Sequence, residues 1–239
     1  ANVAEGWRLE RLTAPSRLFG ANGLRTGPDG RVYIAQVTGS QISALDVRTG
    51  RLDTISAKGG DIIAPDDVAF DPDGALLVGA HTGVYRVDPT TDDTSLVGKT
   101  TFDAMGLTVH ADTILASGHP DPANQDHTFT APNVGLVRYS DAGWEQVSLA
   151  GVTDFHLLAA TPAAPDFLLG LPSDRAVLAA SSDAGQTWED LGPLTARDIS
   201  IDPMKADVVT ATTPEGLVVS RDGGITFTAV ANAPALLVI

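Results

Sequence analysis

The chain has 239 residues, 43% hydrophobic and 19% charged, with 30 acidic against 15 basic side chains and no cysteine. That composition excludes disulfide frameworks, thiolate metal sites and cysteine nucleophiles. The net charge of −15 repels nucleic-acid phosphates and anionic membrane surfaces, leaving cations and small molecules as the expected partners. No run approaches the roughly 18 apolar residues of a membrane helix.

The opening "ANVAEGWRLE" lacks the basic, apolar and small-residue regions of a secretion signal, so a cytoplasmic location and secretion with a signal already removed both stay open. "WRLERL" (7 to 12) alternates like an outermost strand with nothing before it. "ANGLRT", from residue 21, then begins a unit whose form recurs. "GPDGRVYIAQ" (27 to 36) lines up with "DPDGALLVGA" (71 to 80) at an offset of 44, each Pro-Asp-Gly being a turn whose glycine takes a positive φ between short strand-like runs. Equivalent starts follow at "PDDVAF" (65), "AMGLTV" (104), "TDFHLL" (153), "RDISI" (197) and "ALLVI" (235). Units of about 40 to 50 residues, with about four strand-length runs each and no helical periodicity, predict an all-β chain, a β-propeller of four-stranded blades.

Five full blades plus an incomplete sixth, formed by the two termini, is the leading expectation, and a five-bladed ring with "ALLVI" surplus is the alternative. The whole chain, 1–239, reads as a single propeller domain. An incomplete blade has an unpaired edge, which predicts self-association through it.

Within the later units "SSDAGQTW" (181 to 188) is repeated 39 positions on as "SRDGGITF" (220 to 227), and "YSDAGW" (139 to 144) is a shortened copy. The pattern Ser-x-Asp-x-Gly-x-Thr-aromatic predicts a hairpin lock: the carboxylate accepts N–H bonds of its own turn, the glycine takes positive φ, and the aromatic ring packs between sheets. Ser181, Asp183, Gly185 and Trp188, with Ser220, Asp222, Gly224 and Phe227, are therefore expected to be structural. They fall between third and fourth strands, on the face opposite the loops that lead into the innermost strands.

That other face collects oxygen-rich side chains. Asn22, Asp66 or Asp67, Asp103, Asp154 with His156, and Asp198 begin innermost strands. Gln36 to Ser40, His81 and the excursion "GHPDPANQDHTFTAP" (118 to 132), with His119, Asp121, Asp126 and His127, join second to third strands. Such groups suit a hard divalent cation such as Ca²⁺. Asp154 is a third ligand by position, and His156 and His119 are the candidate proton carriers. No Gly-x-Ser-x-Gly elbow and no glycine-rich phosphate loop is present.

Residues 20 to about 75, through "ANGL", "GPDGRVYIAQ", "SQISALD" and "APDDVAFDPDG", resemble the gluconolactonase and senescence-marker-protein family of metal-dependent lactonases. The resemblance implies a six-bladed propeller with one divalent metal, and metal-ligand roles for Asn22 and Asp66. Asp67 stands where the family has Gly, and Glu5-Gly6 lacks the family's Glu-Gly-Pro motif. From about residue 80 the text instead resembles bacterial Asp-box propellers, which divides the chain into lactonase-like blades (1–78) and Asp-box blades (79–239), as in a natural or engineered chimera. Two functions follow: a metal-binding propeller that hydrolyses a lactone or ester at its central mouth, with Asn22, Asp66 and Asp154 holding Ca²⁺ or another divalent cation, or a non-catalytic scaffold or binding module.

Overall fold

The computed structural model describes residues 12, 18, 20–56, 60–88, 91, 93–121 and 128–231, and these form five antiparallel four-stranded sheets. Blade 1 contains β1 (Ala21–Thr26), β2 (Val32–Gln36), β3 (Gln41–Asp46) and β4 (Arg51–Ser56). Blade 2 contains β5 (Pro65–Phe70), β6 (Leu76–Ala80), β7 (Gly83–Val87) and β8 (Thr94–Leu96). Blade 3 contains β9 (Phe102–His110), β10 (Thr113–Pro120), β11 (Gly135–Ser140) and β12 (Gly143–Ser148). Blade 4 contains β13 (Phe155–Ala160), β14 (Leu168–Pro172), β15 (Val177–Ser181) and β16 (Glu189–Pro193). Blade 5 contains β17 (Asp198–Asp202), β18 (Lys205–Thr213), β19 (Gly216–Ser220) and β20 (Thr228–Ala229).

In every sheet the strands pair in chain order, the meander of a propeller blade. The incomplete sixth blade is overturned. Each of the five blades draws all four strands from its own repeat, the last being completed by β20, and no sixth sheet exists among the described residues. The sixth blade was read from two terminal segments, 7–12 and 235–239, which apart from Leu12 lie outside those residues.

The described residues divide into two compact units, one up to 154 that holds blades 1 to 3 and one from 155 that holds blades 4 and 5. In the first, the first strands of successive blades adjoin, β1 against β5 and β5 against β9. Between its sheets lie two apolar layers, one around Tyr33, Ile42, Val68 and Leu76, the other around Leu77, Phe102, Leu107 and Trp144. Phe102 meets Phe129 and Trp144 edge-on at 5.2 Å, and Trp144 Nε1 donates to Val97 O at 2.9 Å.

Sheets covered on both faces explain the sequence of the inner strands. β6, "LLVGA", is buried throughout, so it is a continuous apolar run rather than an alternating one. The fourth strands are edges, and β4, "RLDTIS", carries charge there. The two Pro-Asp-Gly turns form as expected, with φ of 78° at Gly30 and 83° at Gly74.

In the second unit β13 packs against β17 over a layer of Leu169, Leu178, Ile199 and Val209. The two repeated hairpins join β15 to β16 and β19 to β20 with one set of bonds. Ser181 Oγ donates to Asp183 Oδ1 at 2.8 Å and accepts from Gly185 N at 2.8 Å, while Thr187 donates N–H and O–H to the two carboxylate oxygens at 2.8 and 2.6 Å. Ser220, Asp222, Gly224 and Thr226 repeat it at 2.7, 2.8, 2.9 and 2.5 Å. Phe227 packs into the layer between blades 4 and 5, whereas Trp188 lies on Phe155 of its own blade, centroids 4.4 Å apart.

These bonds favour the ionised carboxylate. The Thr187 hydroxyl, then its N–H and the Ser181 hydroxyl, lower Asp183 from 3.8 to about 2, and the Thr226 hydroxyl, the Ser220 hydroxyl and the Thr226 N–H lower Asp222 likewise. A depressed folded-state value means that the stabilisation is complete above the unfolded value near 3.8 and is lost as pH falls towards about 2. Asp183→Asn is accordingly expected to melt below the wild type at pH 6, with the gap closing between pH 4 and 2. A gap independent of pH would show that the charge plays no part.

Candidate metal centre

The first strands do not start as regular ladders. In β5 the pairing steps from Pro65↔Ala80 to Asp67↔Gly79, leaving Asp66 as the extra residue of a bulge, and in β1 it steps from Ala21↔Gln36 to Leu24↔Ile34 across Asn22 and Gly23. Met105 in β9 and His156 in β13 hold the same bulge position. A bulge re-aims its side chain out of the ladder, so this irregularity turns Asp66 and His156 out at the leading ends of their blades, while in blade 3 the position holds the apolar Met105. Gly23 is required in β1, because a Cβ on it would lie 2.5 Å from Asp67 Cα.

In the first unit these positions converge with residues that follow the second strands. Asn22 Nδ2 donates to Asp66 Oδ1 at 2.9 Å. His81, the residue after β6, places Nε2 3.2 Å from Asp66 Oδ2 and 3.9 Å from Asp103 Oδ1, and one donor atom from each of the three residues lies within 4.8 Å of the others. Asp66 is 5% exposed. Asp103 Oδ1 is buried without a hydrogen bond. Asp67, next to Asp66, ties β5 to β9 instead, its two oxygens accepting N–H bonds from Val68 at 2.8 Å and Leu107 at 3.1 Å.

Asn22 and Asp66 are therefore adjacent. Asp154, fully buried at the end of the first unit, is brought instead to His119, whose Nε2 is 3.5 Å from Asp154 Oδ2. His119 Nδ1 faces Pro132 O at 3.4 Å. His156 is an exposed bulge residue at the start of the second unit. Asp198 accepts the N–H of Ile199 at 2.8 Å, matching Asp67, and Asp121 accepts from the Thr101 hydroxyl at 2.7 Å. Asp126 and His127 lie outside the described residues.

His81 and Asp103 belong to the rim expected from the sequence but to neither ligand set read from it. The signal lay in the repeat: His81 and His119 occupy equivalent places, one residue after the Ala80 and Gly118 that oppose Pro65 and Ala104. Asp103 and Asp154 each immediately precede the corresponding residue of the following blade, Ala104 or Phe155. The same His-to-next-Asp contact thus occurs twice.

The fold and this site define a β-propeller with a carboxylate–imidazole cluster at the leading end of its first blades. No protein-family model and no curated protein matches the chain by sequence. Among solved structures it is similar to a gluconolactonase of Xanthomonas campestris (13% identity, 91% of this chain and 78% of that one, TM-score 0.70). It is also similar to a calcium-binding protein, regucalcin, of Agrobacterium tumefaciens (11% identity, 89% and 75%, TM-score 0.61) and to a chain of a nidogen–laminin complex (13% identity, 87% and 78%, TM-score 0.65). Likeness at these identities establishes the propeller fold, which serves proteins of different function.

Proposed function

We propose that the first unit binds a divalent cation through Asp66, His81 and Asp103 and hydrolyses a lactone or ester beside it. The observation that carries this reading is the convergence of three donor atoms within 4.8 Å at the strand starts, one of them a buried carboxylate oxygen with no hydrogen bond. The gluconolactonase and regucalcin among the similar structures support it.

Two carboxylates and one imidazole form a donor set that suits Zn²⁺ or Mn²⁺ better than Ca²⁺, which takes oxygen ligands. A cation bound there supplies Lewis-acid polarisation of the scissile carbonyl. The Asn22 amide holds the Asp66 carboxylate in place, and burial of Asp66 strengthens its attraction for a cation relative to a carboxylate in water.

Metal-stripped protein is expected to melt higher with Zn²⁺ or Mn²⁺, since an ion that binds only the folded state stabilises it by mass action, and the loaded protein is expected to open δ- or γ-lactones. Stabilisation without turnover of any lactone or ester would support a cation-binding module in place of an enzyme. No stabilisation by any ion would end the reading.

A further inference from the structure

We infer that Ser40 is a positioning residue of the proposed cation centre: by accepting the N–H of Ala64, its hydroxyl fixes the backbone segment on which both Asp66 and His81 depend. This deepens the proposed function and rests on its ion at Asp66, His81 and Asp103.

The first observation is a chain of bonds from blade 1 to two of the ligands. Ser40 ends the turn between β2 and β3, and its Oγ accepts the Ala64 N–H at 3.1 Å. Ala64 lies two residues before Asp66 and directly after Ile63, whose carbonyl oxygen accepts the His81 N–H at 3.1 Å. Pro65, opposite Ala80 of β6, has no N–H to add. The segment 63–65 thus joins the two ligands through its backbone, Asp66 along the chain and His81 across the sheet, and Ser40 holds its middle residue from the neighbouring blade.

The second is strain. Ser40 and Ala64 both stand in the left-handed region, with φ of 44° and 46°. Few side chains adopt it, and the proline after Ala64 disfavours it further by pushing the residue before it towards extended backbone. Such backbone persists only where its surroundings over-determine it, and it collects at functional sites. Here the two strained residues are bonded to each other. Glycine at position 40 would relax the turn, so the serine side chain serves the bond its hydroxyl makes and not the turn itself.

The third is the exposure of the ligand. The His81 side chain is half-exposed, so packing does little to place its ring and the anchor of its backbone matters more. Asn22 holds the Asp66 carboxylate from β1, and Ser40 holds the backbone behind it from a later turn of the same blade. Groups that orient a ligand without touching the ion are worth about 10- to 100-fold in metal affinity.

Calorimetric titration of metal-stripped protein with Mn²⁺, paired with metal-free melting, tests the inference through two opposed substitutions. Ser40→Gly removes the hydroxyl and eases the backbone; it is expected to bind Mn²⁺ about tenfold or more weakly than the wild type while melting close to it without metal. Ser40→Thr keeps the hydroxyl and adds strain, since a β-branched residue is a poor fit to positive φ; it is expected to melt lower yet to bind Mn²⁺ as the wild type does. Affinity then follows the hydroxyl and stability the backbone. Wild-type affinity in Ser40→Gly overturns the inference and leaves the proposed centre standing. An equal loss of affinity in both variants, or a loss in Ser40→Gly matched by a fall in its metal-free melting, assigns the effect to the turn and overturns it too. Mn²⁺ that fails to bind the wild type, or that binds His81→Gln equally well, ends the proposed centre and with it the role of Ser40.

Discussion

Gly118→Ala is expected to destabilise the protein by at least about 3 kcal/mol and to lower its melting temperature by about 10 °C. Gly118 has φ of 153°, and a Cβ built on it would stand 1.8 Å from the carbonyl oxygen of Asp103. The obstacle is backbone, not the end of a flexible side chain, so relief requires the start of β9 to move away from β10. That movement carries Asp103 away from His81 and pulls His119 out of register with it. Thermal melting of the variant, with and without Mn²⁺, should show both a lower transition in the absence of metal and a smaller rise on its addition. A variant that melts as the wild type does would mean that β9 and β10 separate at little cost.

Asp66→Asn is expected to abolish most of the cation-dependent stabilisation, which for the wild type amounts to about 2.7 kcal/mol when the ion is at 100 times its dissociation constant. The substitution keeps the size of the side chain and can keep the contact with Asn22, but it removes the charge that faces His81. Without metal the variant should melt close to the wild type, because it can keep the bond from Asn22 and relieves the like charges of Asp67 and Asp103. The pair of melts separates a ligand from a strand cap: loss of a cap would lower the metal-free transition, whereas loss of a ligand lowers only the metal-loaded one. An unchanged response to Mn²⁺ would place the ion elsewhere.

The first strands expected from 21, 65, 104, 153 and 197 begin at 21, 65, 102, 155 and 198, and were legible to within two residues because each blade is a local object. Its four strands are consecutive, the turns of four blades carry Pro-Asp-Gly or Ser-x-Asp-x-Gly and that of the third the shortened Ser-Asp-Ala-Gly, and inner strands such as β6 are apolar on both faces. The hairpin bonds of Asp183 and Asp222 span only two to four residues, so the N–H bonds of the turn to each carboxylate were legible, whereas the Ser and Thr hydroxyl bonds to the same carboxylates emerged only in the structure. The incomplete sixth blade was misread because an isolated alternating or apolar run says nothing of which sheet it joins.

The candidate centre had a different standing. Asn22 and Asp66 could be named from family likeness and from their place at strand starts, but the sequence by itself determined only that such residues lie at the leading ends of blades. The tertiary structure decided which of them meet. His81 reaches Asp103 from 22 positions away and Asp66 from 15, and His119 reaches Asp154 from 35, through bulges and blade-to-blade packing that no local pattern encodes. Strand spacing is set by backbone hydrogen bonds between neighbours in the chain. The approach of one blade's second strand to the next blade's first depends instead on the volume of the apolar layer between the sheets, a property of all the side chains filling it.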